Sequence, residues 1–341
     1  MAVHVAVIGV GDFGVRHVKL LREHAGAEVT AVCRRDEAKV KEIAREFDVP
    51  VWSTDAREIL HDPVVDAVVI ATSEETHYSL TREAVARGKH VLLEKPVCLD
   101  PDEGRQLIEL AAATDRIVLP GHVLRYDAAY CEVKRRVASG ELGDILSVTV
   151  KRNVPRRRFA LHSRTHPVFM ALAHDIDIIL WLTGRLPRRV YAVERRSRPT
   201  DENPDIFFGL LEMDGGIVCR VETQWTVPDE YGRYLDVELE VMATDGHVKL
   251  QYPGDAVTGV SKGALSSPDV ALWPEVHGIT RGALAHQTDS FIRLIDGSAG
   301  AQVVTVKEAV QGIAIGHALI QSASQRREIR PDFSVSPGRE E

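Results

Sequence analysis

Two short stretches of this chain hold residues that can do chemistry together. The run from Val3 to Gly14 sets Gly9, Gly11 and Gly14 in G-x-G-x-x-G spacing, and further on Glu94-Lys95-Pro96 puts an acid, a base and a proline side by side. Glycine-rich turns are common, but this one follows an apolar strand and opens an amphipathic helix (Phe13, Val18, Leu21). That is the context dinucleotide binding requires. Gly9 permits the tight turn, Gly11 lets the backbone approach a pyrophosphate, and Gly14 lets the helix pack on the strand. Asp12 and Phe13 complete the loop, and the helix N-terminus faces the phosphates. The plainer alternative is a tight strand–helix turn that binds nothing.

The elements that must position these residues alternate through residue 120. Short apolar strands are expected at 3–8, 28–33, 64–72, 90–94 and 117–119, with helices near 12–24, 36–47, 76–87 and 101–113. Gly88 sits where a helix C-terminal glycine belongs, and Asp100-Pro101 is a cap followed by a first-turn proline. Alternation of this kind implies a doubly wound parallel sheet of the Rossmann type over residues 1–121. Ligands bind beyond the carboxyl ends of such strands, where Gly9, Arg34, Thr72 and Glu94 all fall. Lys95 then lies near the place expected for a nicotinamide ring.

After Gly121 the pattern changes. Segments 145–152, 188–196, 205–213, 217–225, 233–243 and 247–252 read as strands, with Asp214-Gly215-Gly216 and Asp245-Gly246 as hairpin turns. Helices are expected near 128–138, 167–183, 281–295 and 305–323, the last opened by a Thr305–Glu308 capping box. Residues 122–330 are therefore expected to form an α+β substrate-binding and oligomerisation domain around a large, mostly antiparallel sheet, with 331–341 a loose tail.

Whole-chain properties narrow the function. With 341 residues, 44% hydrophobic and 27% charged, the chain is long enough for two globular domains. A net charge of −8 argues against a nucleic-acid surface. No apolar run approaches a membrane span. Cys33, Cys98, Cys131 and Cys219 are isolated, so neither zinc nor another metal site is expected, nor a disulfide framework. The first strand starts at Val3, leaving no room for a leader, and the expected compartment is the cytoplasm.

The second strand ends Ala31-Val32-Cys33 and continues Arg34-Arg35, where NAD-preferring folds usually carry an acid for the ribose hydroxyls. Two guanidinium groups there suit the 2′-phosphate of NADP, which they can grip bidentately. NADP is the expected preference. NAD stays open, because Asp36 follows immediately and the pair can also be a solvated basic turn.

Ala71-Thr72-Ser73 followed by His77, then Gly88-Lys89-His90-Val91 leading into Glu94-Lys95-Pro96, resembles the Gfo/Idh/MocA family (glucose–fructose oxidoreductase, inositol dehydrogenase, rhizopine catabolism). The resemblance runs over nearly the whole chain, through Gly121-His122-Val123-Leu124-Arg125-Tyr126 and Ser139-Gly140-Glu141-Leu142-Gly143 to the helix holding His174 and Asp177. It implies that Lys95 and His174 flank the carbon of a sugar, polyol or nucleotide-sugar that exchanges hydride with the nicotinamide. Thr72, Ser73, His77, Glu94 and Pro96 join the cofactor site by the same resemblance. Chemically the roles are sound. A lysine ammonium beside the reacting oxygen stabilises developing negative charge, and a neutral histidine takes the proton. A core histidine on an apolar helix is the alternative for His174.

One position departs from the family pattern: Met170 stands where an aspartate usually sits four residues before the histidine. Methionine can neither bond a hydroxyl strongly nor orient an imidazole. Asp177, or the adjacent Asp175, is the expected substitute. Substrate contacts are expected from Lys95, His122, Arg125, Tyr126, Arg152, Met170 and His174, with Arg125 open to a structural ion pair instead. The basic stretch Lys151, Arg152, Arg156, Arg157, Arg158, His162, Arg164 and His166 implies either an anionic substrate group or a solvated face or subunit contact. The leading expectation is an NAD(P)-dependent oxidoreductase acting as a homodimer or homotetramer. Its competitors are a cofactor-retaining epimerase, eliminase or glycosidase without net redox, and a non-catalytic nucleotide-binding sensor.

Overall fold

A computed structural model describes residues 2–231, 234–252, 257, 259–261, 264–266, 268–298 and 302–333. It has two compact units, Met1–Asp127 with Leu272–Val310, and Ala128–Ala271 with Gln311–Glu341.

The first unit alternates β1 (Val3–Ile8), α1 (Asp12–Glu23), β2 (Ala27–Cys33), α2 (Glu37–Glu46), β3 (Val51–Ser53), α3 (Ala56–His61), β4 (Ala67–Ile70), α4 (His77–Ala86), β5 (His90–Glu94), α5 (Pro101–Ala112) and β6 (Val118–Gly121). The strands lie in the order β3-β2-β1-β4-β5-β6, and every pairing is parallel. Central strands are covered on both faces, so β1 and β4 read as continuous apolar runs; Val5, Val7, Val68 and Ile70 are fully buried. Each such side chain contributes about 1.5–3 kcal/mol of burial free energy. Helix ends follow the sequence: Gly88 takes φ +74 past α4, and the Asp100 side chain accepts from Asp102 N at 2.7 Å beneath α5.

The second unit contains α6 (Ala128–Ala138), β7 (Ile145–Asn153), α7 (Arg156–His162), α8 (Ala173–Thr183), β8 (Pro187–Arg195), β9 (Ile206–Met213), β10 (Val218–Gln224), β11 (Asp236–Ala243) and β12 (His247–Tyr252). Its sheet runs β12-β11-β7-β10-β9-β8, parallel only where β7 meets β10. Two further helices follow, α9 (Ala283–Ile295) and α10 (Val306–Gln325). A Cβ on Gly209 of β9 would come within 2.8 Å of Leu319, so the glycine lets α10 close onto the sheet. On the strands, Tyr191, Val193, Leu210, Val218 and Met242 are exposed.

The structure differs from the sequence expectation in several places. It adds β3 and α3, whose brevity and exposed Val51 and Trp52 left no periodic signal. The arginine-rich segment at 156–162 is helix α7 rather than loop, burying Phe159. The helix expected over 167–183 begins instead as a π-helical turn, Val168–Leu172, before α8. The chain also does not divide once near residue 121. Phe291 and Ile292 of α9, with Val304, join the apolar cluster of β1 and β2, because an amphipathic stripe says that a helix packs without naming its partner. The expected tail at 331–341 lies outside the described residues from 334 onward. Among the described residues no helix is long and apolar enough to cross a membrane.

Candidate functional site

The first unit's strand order reverses between β1 and β4, and the fingerprint loop leaves β1 at that point. Gly9 has φ +99, and a Cβ there would lie 2.5 Å from the Ala71 carbonyl carbon and oxygen. Only glycine fits both the left-handed backbone and the contact. A Cβ on Gly14 would overlap the Gly9 carbonyl oxygen, so α1 sits directly against the loop. Gly11 differs: its Cβ would meet nothing within 4 Å, and its φ is −82. Internal packing does not demand glycine here; an approaching ligand would. Gly11 is also the N-cap of α1, and no side chain caps the helix. The unpaired first-turn N–H groups and the open space at Gly11 fit a dinucleotide pyrophosphate. Asp12 is exposed and Phe13 half-buried, its ring edge-on to Trp273 at 6.0 Å.

At the end of β2, Arg34 is half-buried and donates from Nη1 to the Val10 carbonyl at 2.8 Å, tying it to the fingerprint loop. Arg35 is exposed. The Asp36 side chain is occupied as the N-cap of α2, accepting from Lys39 N at 3.1 Å.

Beyond β4 and β5 the structure brings the remaining first-unit residues together. His77, at the start of α4, is buried; its Nδ1 lies 2.7 Å from the Pro96 carbonyl oxygen and its Nε2 3.2 Å from that of Thr72. Thr72 Oγ1 accepts from Thr76 Oγ1 at 2.7 Å, and Ser73 leads into the turn Glu74–Thr76. Buried Glu94 accepts from His17 Nε2 of α1 at 2.9 Å and from Lys95 N at 3.3 Å. A Cβ on Gly121 would press within 3.1 Å of the Glu94 carboxylate. Lys95 is half-buried, Pro96 buried, and the bond between them is cis.

His122 and Tyr126 are buried where β6 runs into a 3-10 turn, and the Tyr126 carbonyl accepts from His286 Nδ1 at 3.2 Å. Arg125 is an internal ion-pair partner: its buried Nη1 donates to Val303 O at 2.8 Å and to Glu308 at 3.0 Å. Glu308 closes the expected capping box, accepting from Thr305 N at 2.8 Å. Burial pushes its carboxyl up, but the Thr305 N–H and the Arg125 charge outweigh this and hold it below the ordinary range.

In the second unit, Arg152 is engaged from within. Its guanidinium holds Asp175 with two bonds of 2.8 Å, and both side chains are buried. This corrects the expectation that Arg152 meets an anion, and it removes Asp175 as an orienter of His174. Burial drives the Asp175 carboxyl up, with Arg152 pulling against it. His174 is half-buried in the first turn of α8, and Asp177 is buried one turn on. Met170 packs against Val154, Phe159, Ala171 and Trp225, so the position usually given to an aspartate joins an apolar cluster. Much of the basic stretch is likewise paired: Lys151 with Asp236 at 3.1 Å, Arg157 N with Asp229, Arg158 with Tyr234 and His166 with Glu194. Arg156 is exposed.

Sequence reasoning passed over His17. The signal was there, since position 17 shares the buried stripe of Gly14, Val18 and Leu21, and a polar group on such a stripe requires a partner.

The fold and the loop define a protein with a Rossmann-type dinucleotide-binding domain. The comparisons narrow this: residues 3–122 match the oxidoreductase family with an NAD-binding Rossmann fold, and residues 130–249 the Gfo/Idh/MocA C-terminal domain. The chain is 31% identical to scyllo-inositol 2-dehydrogenase (NAD(+)) of Bacillus subtilis over 258 residues, 72% of this chain and 73% of that one. It is 33% identical to inositol 2-dehydrogenase 1 of Saccharopolyspora erythraea over 264 residues, covering 75% and 76%. Scyllo-inositol dehydrogenase from Lactobacillus casei, solved with NAD(H) and scyllo-inositol, superposes with a TM-score of 0.82 at 19% identity, covering 97% of this chain and 99% of that one. The chain belongs to the Gfo/Idh/MocA oxidoreductase family and is an NAD-binding oxidoreductase.

Proposed function

We propose that the protein is an inositol-type polyol dehydrogenase in which Lys95 and His174 handle the charge and the proton of the substrate oxygen. The observation that carries this reading is the Glu94-Lys95-Pro96 turn, held on both sides by buried histidines at the carboxyl edge of the first sheet. A nicotinamide dinucleotide bound here would supply the hydride acceptor for the substrate carbon. Gly9, Gly11 and the first turn of α1 would hold its pyrophosphate, and Thr72, Ser73 and the Glu94–Pro96 turn would line the nicotinamide end. Arg34 and Arg35 give preference for NADP, because two exposed or half-buried guanidinium groups suit a 2′-phosphate and Asp36 is committed to α2. The Lys95 ammonium stabilises negative charge growing on the substrate oxygen while His174 accepts its proton. Asp177 orients that imidazole where Met170 cannot. The relatives support net oxidation rather than a cofactor-retaining isomerisation or a sensor, since they are dehydrogenases.

A homo-oligomer built on the second sheet follows from its exposed Tyr191, Val193 and Leu210, with Tyr191 opposite Leu210 across β8 and β9. A reducing compartment suits the free thiols of Cys33, Cys98 and Cys219. The test is a screen of myo-inositol, scyllo-inositol, aldoses and nucleotide sugars, following reduced nicotinamide by absorbance with NAD and NADP in parallel. Turnover confined to cyclic polyols supports the reading; turnover only of nucleotide sugars overturns the substrate class.

A further inference from the structure

We infer that His17 and His77 are positioning residues for Lys95, clamping the Glu94-Lys95-Pro96 turn from its two flanks; this rests on the catalytic reading of Lys95 given above. The two imidazoles come from different helices and grip different atoms. His17, on α1, is fully buried and bonds the Glu94 carboxylate at 2.9 Å. His77, at the head of α4, is 1% exposed and meets the Pro96 carbonyl at 2.7 Å. Glu94 immediately precedes the lysine and Pro96 immediately follows it, so both neighbours of Lys95 are tied to a buried ring, Glu94 through its side chain and Pro96 through its backbone carbonyl. The Glu94 carboxylate is further confined by Gly121, and it accepts from the lysine's own N–H at 3.3 Å. A long side chain on a strand-end turn has many rotamers; fixing its root removes backbone freedom that would otherwise blur the position of its charge.

The chemistry assigns the protons. Carboxylates and carbonyls only accept, so His17 donates from Nε2 to Glu94 and His77 from Nδ1 to Pro96, while His77 Nε2 faces a second carbonyl, that of Thr72, at the longer distance of 3.2 Å. Neither ring needs to touch substrate. Their effect falls on the placement of the ammonium, and a misplacement of about 1 Å costs on the order of 100-fold in rate.

The opposite donor atoms give an opposite pattern of rescue. A glutamine amide nitrogen reaches the place of a histidine Nε2, and an asparagine amide nitrogen that of Nδ1. His17→Gln should therefore keep a kcat about 10- to 100-fold above that of His17→Asn, and His77→Asn one about 10- to 100-fold above that of His77→Gln. The variants at each position are both amides of similar polarity, so damage to folding strikes both alike; equal losses within each pair overturn the inference. A second readout needs no turnover. Nitrogen-15 spectra of histidine in the cofactor-free protein should show the proton of His17 on Nε2 and a proton on Nδ1 of His77, and the reverse tautomer at either ring also overturns it. Lys95→Met separates the two proposals. If that variant keeps parental turnover, the catalytic reading fails; if it is inactive while all four histidine variants match the parent, only the clamp fails.

Discussion

Replacing Gly11 by alanine isolates cofactor binding from folding, because the three fingerprint glycines differ in what surrounds them. At Gly11 a Cβ meets nothing within 4 Å and φ is −82, so the methyl group costs no packing. Losing glycine at an N-cap costs about 1 kcal/mol, a few degrees of melting temperature in a domain of this size. A ligand backbone lying against Gly11 would meet the methyl directly. Overpacking of that kind costs about 1–3 kcal/mol, or roughly 5- to 150-fold in affinity. Gly14→Ala is the internal control, since its Cβ would overlap the Gly9 carbonyl oxygen. Gly9→Ala adds a left-handed φ of +99 to a 2.5 Å contact with Ala71. Both should lower stability by more than about 3 kcal/mol. Fluorescence titration with reduced dinucleotide, paired with thermal melts, separates these effects. Gly11→Ala binding as tightly as the parent would refute the assignment, as would an affinity loss fully accounted for by unfolded protein.

Removing Arg34 and Arg35 together should weaken NADP by at least about tenfold more than NAD, since each charge-assisted bond is worth about 1.5–3 kcal/mol; equal losses in titrations of the two cofactors refute the preference. Leu210→Asp, on the exposed face of β9, should shift the protein toward monomer in light scattering, and a parent that is monomeric at micromolar concentration removes the oligomer proposal. Glu308 is held below its ordinary range, so its bond to Arg125 stabilises the fold above that range and the contribution is lost as pH falls through the depressed value. Glu308→Gln should cost about 1 kcal/mol at pH 7, with the difference in melting temperature from the parent shrinking toward pH 3; a difference that grows on acidification contradicts the sign.

The first sheet was legible because parallel strands buried on both faces must be apolar throughout, and β1 and β5 begin and end where that pattern does. Capping chemistry was equally readable at Asp100, Thr305 and Gly88, since each supplies a local backbone need. What stayed hidden depended on partners distant in sequence. The guanidinium of Arg152 reads as an anion site until the structure supplies Asp175, twenty-three residues on, as its buried counter-charge. His17 likewise meets Glu94 seventy-seven residues away. Helix α7 was hidden by its own arginines, which pair with Asp229 and Tyr234, and by the exposure of Leu161, so that Phe159 is its one buried side chain. The Met170 departure was visible in sequence; its physical meaning, packing against Trp225 and Phe159, was not.

Turnover of Lys95→Ala on an identified polyol, with dinucleotide affinity measured on the same preparation, tests the proposed mechanism most directly. Removing one group that stabilises charge on a reacting oxygen costs about 10²–10³ in kcat. The loss in Lys95→Ala should be at least of that size, with affinity for the dinucleotide unchanged, since the proposed pyrophosphate site is Gly11 and the first turn of α1. Near-parental kcat in Lys95→Ala would contradict the proposed mechanism.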